Sequence, residues 1–558
     1  MILRHPSNLS PRHPDGATHR SGPGDRYSGR EHLSRTSTDR TSKTDPGEHV
    51  SQSVASAART RTEPRFVQRS PMRTIVIGTI GSLLMMVGSF GIGWLAPISR
   101  LRQDPVIIAL RYTDGAVVAC IVMTALGAMA LTREWLRLSQ KIAHWGRPAK
   151  KWVTLAILCW VTPMLFSFPL FSRDVYSYYA QGRVYESGLN PYESGVSSVN
   201  NFFQSGADPL WSQSPPPYGA VFLWIEGLVV RVAGTSPDVA FYLFRLVALI
   251  GVALIAIFLP KLARMHGINP VRACWLCLAN PMFLVHFVIS AHNDALMIGL
   301  MMAGVWVSAR WRTTAGGIGG ITLVTLAIAV KPIAIITLPF IGLLWAGRGA
   351  SWPRRILFWV LTLAVCLAQL WIMGRMNGFG FDWINGLKTT GGVWIWYAPV
   401  GALSFLGKVL VDSLGGPGGD VQAAIQKIGQ LLGMLGAGIM ALIGRDQTII
   451  RRLTLALAFV VMFNPMIQAW YVVWLIPFFA ATGIRADWHV DFYFLTTLFF
   501  MLWAVSDQLD VFPYLDLDLN MGRLVAIVVA LVYAVYLMFL DPSTRRVFRR
   551  RQSGTAVV

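Results

Sequence analysis

A chain of 558 residues, of which 54% are hydrophobic and only 14% are charged, with a mean hydropathy of +0.50, does not have the composition of a soluble globular protein. The formal net charge of +21 would point to nucleic acid in a soluble protein, but here Lys and Arg concentrate in the tails and in alternate short loops. The five cysteines all lie in apolar runs, so neither a disulfide framework nor a zinc site is expected. The composition therefore predicts a polytopic membrane protein with no nucleic-acid partner.

The chain divides into three regions by composition. Residues 1–72 are rich in Arg, Ser, Thr, Pro, His and Gly and have too few large apolar side chains to fold alone, which predicts a disordered basic cytoplasmic tail. A second basic cytoplasmic tail is predicted at residues 542–558. Residues 73–541 form the predicted membrane domain.

Apolar windows in this domain predict an all-α polytopic integral membrane protein with about fourteen transmembrane helices, several of them short. The windows are residues 74–96, 113–132, 152–172, 239–260, 271–289, 295–310, 315–330, 333–347, 354–374, 421–443, 452–466, 469–485, 490–506 and 523–541.

Six basic clusters fall on one side of the membrane if both termini are cytoplasmic. They are residues 133–151, 261–272, 310–312, 348–355, 445–452 and 545–551. This orientation requires that two further apolar stretches, Tyr218–Gly234 and Trp394–Leu414, do not cross the bilayer, and for both we predict amphipathic helices on the outer surface. The polar motifs, including a large outer loop over residues 173–238, then face away from the cytoplasm. Because no glycine-rich nucleotide-binding fingerprint is present, we expect the substrate to arrive in the membrane.

The first polar motif, FSRDVYSYYAQGRVYESGLNPY, follows directly on a predicted span and combines an Arg–Asp pair with a run of tyrosines. Desolvation and a neighbouring lipid phosphate could tune Asp174 as a base. If the segment is helical, Asp174, Tyr178 and Tyr185 share roughly one face and offer aromatic walls to a sugar, with Arg173 and Arg183 as further candidate contacts. A solvated aspartate beside a snorkelling arginine and belt aromatics would produce the same pattern.

A second motif, His292-Asn293-Asp294, lies between two short apolar runs. Polar residues so close together in a membrane turn are hard to explain by packing, although Asn293 or Asp294 could instead cap the next helix. One His beside one Asp is too few ligands to indicate a metal site. Arg245 and Lys331 lie on the same predicted side and could meet a lipid phosphate, although snorkelling explains either residue alone.

The last outer turn, QAWYVVW, contributes Gln468, Trp470 and Tyr471. An amide next to aromatic rings suits sugar binding, and an interfacial aromatic belt is the alternative explanation. Upstream, the sequence SPPPYG introduces the first predicted surface helix, where proline costs no required amide hydrogen bond.

The blocks SRDVYSYYAQGRVYESGLNPY, SPPPYG, HNDALM and QAWYVVW resemble, in this order, motifs of the actinobacterial polyprenol-phosphate-mannose-dependent α-1,6-mannosyltransferases, and most of all the branch known as MptB. These are GT-C-type integral membrane enzymes that build the mannan core of lipomannan and lipoarabinomannan. The resemblance covers essentially everything after the tail. It implies a GT-C catalytic domain over residues 73–541, with Asp174 as the catalytic carboxylate and donor-phosphate contacts at His292 and Asp294.

The implied reaction is an inverting displacement on the outer face of the plasma membrane. The 6-hydroxyl of a mannosylated glycolipid acceptor attacks the anomeric carbon of polyprenyl-phosphate-mannose, and Asp174 takes the hydroxyl proton. His292, Arg245 and Lys331 are the expected contacts of the departing phosphate. No cofactor is expected, and a metal-independent site is preferred over one that holds a divalent ion. The expected partners are the donor, the acceptor and membrane lipids.

Three other functions remain open on the sequence, the first of which is a related elongating mannosyltransferase. An arabinosyltransferase that uses polyprenyl-phosphate arabinose fits the same motifs, because the donor and the linkage rest wholly on the resemblance. A lipid-linked sugar flippase or another transporter would also have many spans, but it should place polar groups through the membrane midplane. Here the candidate groups gather at one face.

Overall fold

The computed structural model describes residues 70–142, 145–387, 393–484, 488–508 and 519–549. Throughout these ranges the regular elements are helices and no strand is present, which confirms the predicted all-α fold. Residues 1–69 of the first predicted tail and residues 550–558 of the second lie outside the described residues, so both tails remain predictions.

The α-helices in the described part of the chain are labelled in order. The first six are α1 (Met72–Ile92), α2 (Pro105–Tyr112), α3 (Asp114–Lys141), α4 (Arg147–Met164), α5 (Asp174–Glu186) and α6 (Ala220–Ala233). The next six are α7 (Pro237–Met265), α8 (Pro270–Leu278), α9 (Pro281–Leu284), α10 (Asp294–Arg310), α11 (Thr314–Val330) and α12 (Leu338–Ala346). The last nine are α13 (Trp352–Asn377), α14 (Trp383–Gly386), α15 (Pro399–Ser413), α16 (Gly418–Leu442), α17 (Ile449–Met462), α18 (Ala469–Thr482), α19 (Trp488–Asp507), α20 (Leu519–Val535) and α21 (Arg545–Arg549).

Among the described residues, seven helices are long and apolar enough to cross a membrane, or eight if one bent pair counts as a single span. All of the predicted windows overlap helical structure, but several of those helices are short; α17 and α18 have 14 residues each. The structure thus supports a polytopic membrane protein without confirming about fourteen spans. The difference arises because an apolar window measures hydropathy and does not locate the residue that ends a helix.

The bent pair of helices, Pro270–Leu278 and Pro281–Ile289, leads directly to His292-Asn293-Asp294, here called the HND motif. The axis turns by 61° between α8 and the segment Pro281–Ile289. Pro281 has no amide hydrogen to donate, and the side-chain oxygen of Asn280 accepts bonds of 2.8 and 3.2 Å from two amides in the first turn of α9. A local cap therefore allows a sharp break within an otherwise apolar segment, which ends just before His292.

Small residues bring α7, α10 and α11 close together. A Cβ atom on Gly251 would lie 2.2 Å from the backbone of Ala295, and one on Gly304 would lie 2.8 Å from the carbonyl oxygen of Gly320. Lipid provides little hydrophobic drive for helix association, so such close backbone packing is a main source of stability. Contacts of Ala295 with Gly251 and of Trp306 with Phe258 show that α10 runs parallel to α7, whereas the α10–α11 pair is antiparallel. The start of α10 and the end of α11 therefore meet at one end of the bundle.

Both stretches predicted as surface helices are helical and form α6 and α15. Gly219, just before α6, packs on the end of α11, where a Cβ atom would lie 2.6 Å from the Cα atom of Ala329. This contact brings the large loop that contains α5 and α6 against the membrane helices. The position of both helices on the outer surface of the membrane remains a prediction.

Candidate active site

A cavity of about 690 Å³ lies at the end of the bundle where α5 and α10 begin and α11 ends. Its size is within the usual range for small-molecule sites. Six of the predicted site residues contribute to its wall: Arg173, Asp174, Lys331, Gln468, Trp470 and Tyr471. They come from distant parts of the chain, so the cavity is a product of the tertiary fold.

Asp174 is the first residue of α5, where an acidic side chain is stabilised by the helix dipole. The backbone just before it is strained, because Phe171 adopts a φ of 66°, which is uncommon for a residue other than glycine. The Phe171 amide donates a 2.6 Å hydrogen bond to Oε1 of Gln508, which holds this turn in place. The Asp174 side chain remains 28% exposed and borders the cavity.

His292 lies behind Asp174. Its Nδ1 atom is 3.4 Å from Oδ2 of Asp174, and its fully buried ring stacks on Trp470 with the ring centroids 4.1 Å apart. Ala291 has a φ of 55°, so strained backbone precedes His292 as well as Asp174. His292 is not part of the cavity wall, and its geometry suits positioning of Asp174 rather than direct contact with a donor phosphate.

Asp294 and Lys331 form an ion pair beside these two residues. Lys331 Nζ and Trp474 Nε1 each donate a 2.7 Å hydrogen bond to the same oxygen, Oδ1 of Asp294. Asp294 begins α10 and Lys331 directly follows α11, so each charge lies at a helix end whose dipole favours it. The Lys331 ammonium also lies 5.4 to 5.9 Å from the ring centroids of Tyr218, Tyr471 and Trp474.

Opposing effects set the pKa of Asp174. Burial alone would raise it, but the contact with His292 and the positive charge of Lys331 outweigh burial and hold the pKa of Asp174 below its ordinary value. At neutral pH Asp174 is therefore a carboxylate, the form that can accept a proton. Burial, followed by the charges of Asp174 and Asp294, raises the pKa of Tyr218 well above its ordinary value, so this hydroxyl stays protonated.

Arg173 reaches the cavity wall on the other side of Asp174. Its Nη2 atom is 2.6 Å from Oδ1 of Asp208, and its guanidinium carbon lies 4.5 Å from the ring centroid of Trp94. Both partners also line the cavity. Arg173 is thus a second cation at the cavity, held in place by a carboxylate and an aromatic face.

Arg245, an expected phosphate contact, is not part of the cavity wall. Its guanidinium donates hydrogen bonds of 2.7, 2.7 and 2.8 Å to the carbonyl oxygens of Leu165, Ser167 and Ile289. The first two carbonyls belong to the segment that leads to Asp174, and the third belongs to the segment that leads to His292. Arg245 therefore fastens both segments to α7.

Arg183 and Tyr185 also lie away from the cavity. Arg183 donates hydrogen bonds of 3.0 Å to Oγ of Ser205 and 2.7 Å to the carbonyl of Asn200, within the large loop. The ring of Tyr185 packs edge-on against Phe379 with centroids 6.0 Å apart. The predicted helix does form as α5, and the cavity is bordered by Asp174, Ser177 and Gln181 from its first two turns, whereas Arg183 and Tyr185 in the last turns stabilise the loop.

Tyr178 and Asn293 lie behind the cavity wall. The Tyr178 hydroxyl is 3.5 Å from Oδ1 of Asn293, and its ring packs edge-on against Tyr218 and Phe222. Asn293 immediately precedes α10, but its side chain makes no capping hydrogen bond. Capping by Asn293 therefore does not explain the HND motif.

The cavity wall contains residues that were not singled out as site residues in the sequence: Trp94, Asp208, Trp211, Tyr218, Asn464 and Trp474. For Trp474 a signal was available, because it follows Trp470 by four residues and hence shares its helix face. Tyr218 is part of the SPPPYG motif, which predicts the start of a surface helix, and it also lies in the cavity wall. Trp94 and Asp208 have no local signature, since their role comes from contacts with Arg173.

Among the described residues, no three His, Cys, Asp or Glu side chains form a group suited to a metal ion. Lys331 bonds to the Asp294 oxygen that a cation would otherwise approach. The positive charge beside this carboxylate is thus supplied by the protein itself.

Comparison with known proteins bears on this site. A family model described as α-(1→6)-mannopyranosyltransferase, N-terminal domain, matches residues 75–347. A probable α-(1→6)-mannopyranosyltransferase of Mycolicibacterium smegmatis is 30% identical over 503 residues, which cover 83% of this chain and 89% of the relative. An α-(1→6)-mannopyranosyltransferase of Mycobacterium tuberculosis is 30% identical over 523 residues, with 83% and 87% covered.

A further relative, α-(1→6)-mannopyranosyltransferase A of Mycobacterium tuberculosis, is 31% identical over 338 residues, or 59% of this chain and 64% of that protein. No solved structure matches the chain. The segment matched by the family model includes Asp174, His292, Asp294 and Lys331, and the first two relatives cover most of the membrane domain. The chain therefore belongs to the α-(1→6)-mannopyranosyltransferase family and is a membrane mannosyltransferase.

Proposed function

We propose that this protein transfers mannose from polyprenyl-phosphate-mannose to the 6-hydroxyl of a mannosyl lipid on the outer face of the plasma membrane, building the α-1,6-mannan core of lipomannan and lipoarabinomannan. The observation that carries the proposal is an ionised carboxylate, Asp174, in the wall of a cavity that also presents Lys331 and several aromatic rings. Such a cavity combines a proton acceptor, a partner for phosphate and surfaces that stack on sugars. Its place among membrane helices suits a donor carried on a lipid.

In the proposed reaction the acceptor hydroxyl oxygen attacks the anomeric carbon of the donor mannose. The bond from that carbon to the phosphate oxygen breaks, and its electron pair leaves with polyprenyl phosphate. Asp174 takes the hydroxyl proton, and His292, 3.4 Å away, keeps the carboxylate in position. Because a single displacement occurs, the configuration at the anomeric carbon is inverted.

Lys331 is the proposed contact for the departing phosphate. An ammonium group has three donors, and one of these is bound to Asp294, which leaves others to face the cavity. Positive charge that is already oriented when negative charge develops stabilises a transition state without further reorganisation. Arg173 is the second candidate for this contact, whereas Arg245 is committed to backbone carbonyls and is assigned a positioning role.

We propose that no metal ion takes part, because Lys331 already supplies the charge beside Asp294. Treatment with EDTA should then leave the transfer rate within about twofold of the untreated enzyme, and added Mg²⁺ or Mn²⁺ should not raise it further. A loss of activity that Mg²⁺ or Mn²⁺ restores would instead assign a divalent ion to the site.

The proposal is tested with purified protein in nanodiscs, supplied with radiolabelled polyprenyl-phosphate-mannose and a short α-mannoside lipid. The expected product is an acceptor longer by one mannose, whose new bond is cleaved by an α-1,6-specific mannosidase. Polyprenyl-phosphate arabinose serves as the competing donor. Preference for polyprenyl-phosphate arabinose would identify an arabinosyltransferase instead. Movement of the donor across a bilayer without sugar transfer would favour a transporter.

A further inference from the structure

A second cavity, of about 540 Å³, lies at the end of the bundle opposite the candidate active site. Its wall is formed by the C-terminal ends of α7 and α10, the end of α12 and the loop between α16 and α17. Three arginines contribute to it: Arg312 from the α10–α11 turn, Arg348 from the turn after α12, and Arg445 from the α16–α17 loop. Nothing in the mechanism of mannosyl transfer uses them.

The charges in this cavity are not balanced by the protein. Asp446 is the acidic residue of the wall, and it is already engaged, because one of its oxygens accepts a hydrogen bond from the Gly349 amide and the other lies 3.9 Å from Nη2 of Arg355. Within the described ranges, the side chains of Arg312, Arg348 and Arg445 make no hydrogen bond or ion pair with the protein.

Arg312 is the most constrained of the three. Its Nη1 atom is buried and has no hydrogen-bond partner among the described residues. Burial lowers the pKa of Arg312, and the nearby charge of Arg348 lowers it further, although Asp446 partly opposes both effects. A buried guanidinium donor that faces other cations is costly, and an anion with several acceptor oxygens would satisfy it.

We infer that this cavity binds a phosphate-bearing anion, either the headgroup of an anionic lipid or a soluble phosphate compound. Guanidinium groups match phosphate geometry because each can donate two parallel hydrogen bonds. The volume is ample for a phosphate with a small substituent.

Apolar side chains near the arginines fit a lipid best. Met265 lines the cavity and is 43% exposed, and Leu442 and Ile443, just before Arg445, are 49% and 52% exposed. Basic pockets between transmembrane helices, with apolar surface beside them, accept a headgroup while the acyl chains remain in the bilayer. A bound anion would also reduce the repulsion between Arg312, in the turn between α10 and α11, and Arg348. The far ends of these two helices carry Asp294 and Lys331.

The test uses the full-length protein in detergent, without donor or acceptor, so that its outcome is independent of the proposed transferase activity. Binding of phosphatidylglycerol, phosphatidylcholine and inorganic pyrophosphate is measured by native mass spectrometry and by the shift in the unfolding temperature. We compare the wild type, the double variant Arg348→Gln/Arg445→Gln and Arg312→Lys. Arg451→Gln is the matched control, because Arg451 is exposed at the same end of the bundle but does not line the cavity.

The double variant should bind phosphatidylglycerol at least about tenfold more weakly, the loss expected when charge-assisted hydrogen bonds are removed, whereas Arg451→Gln should bind like the wild type. Arg312→Lys should weaken binding less than the double variant, because it keeps the charge. Arginine-dependent binding of phosphatidylglycerol that pyrophosphate does not displace identifies a lipid site. Arginine-dependent binding of pyrophosphate alone identifies a soluble phosphate compound. Equal binding by the double variant and the wild type, or an equal loss in Arg451→Gln, overturns the inference.

Discussion

At the residue scale, the two carboxylates of the site differ although each begins a helix. Asp294 is fully buried, and Lys331 and Trp474 both donate to one of its oxygens. Asp174 is 28% exposed and borders the cavity. A bound and buried carboxylate holds other groups in place, whereas a carboxylate at a cavity wall can reach a substrate hydroxyl. Asp174 is therefore the proposed base, and Asp294 holds the neighbouring groups in place.

Replacing Asp174 with Asn should lower kcat/KM about a hundredfold to ten-thousandfold, the usual range for the loss of a positioned base. Donor binding should change little, because the amide keeps the size of the carboxyl group. Steady-state transfer assays and donor-binding titrations measure both quantities. Glu193→Gln is a suitable control, since Glu193 is an exposed acid of the same loop. Turnover at the wild-type rate by Asp174→Asn would remove Asp174 from this role.

Lys331 is expected to control the pH at which Asp174 acts. Its charge helps to hold the pKa of Asp174 below the ordinary value, so Lys331→Met should raise that pKa. Because the base must be ionised, the variant should lose activity at a higher pH than the wild type as the solution is acidified. A profile of kcat/KM from about pH 4 to pH 8 covers the range in which a carboxyl group titrates.

The control for this prediction is Lys331→Arg, which keeps the positive charge. In this variant the acid limb, the pH range over which kcat/KM falls on acidification, should stay near that of the wild type. An acid limb that stays in place in Lys331→Met would show that Lys331 does not act on Asp174. A raised KM for the donor in the same variant would support the proposed phosphate contact.

At the scale of elements, helix ends carry the chemistry. Asp174 and Asp294 begin α5 and α10, and Lys331 follows the end of α11. Close packing through small residues aligns α10 with α11, and the bend after α8 brings the HND motif to the same place. The site thus depends on where helices stop as much as on which residues they contain.

Arg245→Gln tests whether Arg245 positions the site or binds substrate. The substitution removes charge-assisted hydrogen bonds to carbonyls that would then be left buried without a partner, at a cost of roughly 1–3 kcal/mol in the free energy of unfolding. We expect a lower unfolding temperature and a lower kcat, with a nearly unchanged KM for the donor. A higher KM for the donor with an unchanged unfolding temperature would instead indicate that Arg245 contacts the donor phosphate.

Arg231→Gln provides the comparison for this variant. Arg231 lies at the end of α6, its side chain is 68% exposed, and it pairs with Glu186 at 2.7 Å. An exposed ion pair contributes little to stability, so this change should affect neither unfolding nor transfer.

At the scale of the whole molecule, the two cavities described above lie at opposite ends of the helical bundle and differ in chemistry. One combines a carboxylate, an ammonium group and aromatic rings, and the other presents three guanidinium groups. If the basic residues follow the positive-inside rule, the arginine cavity faces the cytoplasm and the candidate active site faces outward. The orientation can therefore be tested with one residue from each end.

Single cysteines at Glu193 and Gln447, in a chain whose own five cysteines are replaced by Ser or Ala, should report opposite sides of the membrane. Both positions are exposed, and Gln447 belongs to the arginine cavity. A membrane-impermeant maleimide added to intact cells should label Glu193→Cys at once and Gln447→Cys only after permeabilisation. The reverse pattern would place the active site on the cytoplasmic face.

The positions of most helices depend on residues close together in the chain and could therefore be predicted from the sequence. Apolar windows predict helices because the bilayer requires every backbone group to be bonded within its own segment, and all of these windows overlap helical structure. Polar residues at the ends of the apolar windows predict a site at Asp174, His292, Asp294 and Lys331, and these residues are adjacent in the structure.

The tertiary structure decided which predicted residues reach the cavity. In the sequence, Arg245 and Lys331 are equivalent cations near helix ends, but one binds carbonyls about 80 residues earlier in the chain and the other lines the cavity. Likewise, nothing near Arg173 indicates its contacts with Trp94 and Asp208. Hydropathy and charge patterns describe a residue's neighbours along the chain, whereas a side chain's partners depend on how distant helices pack together.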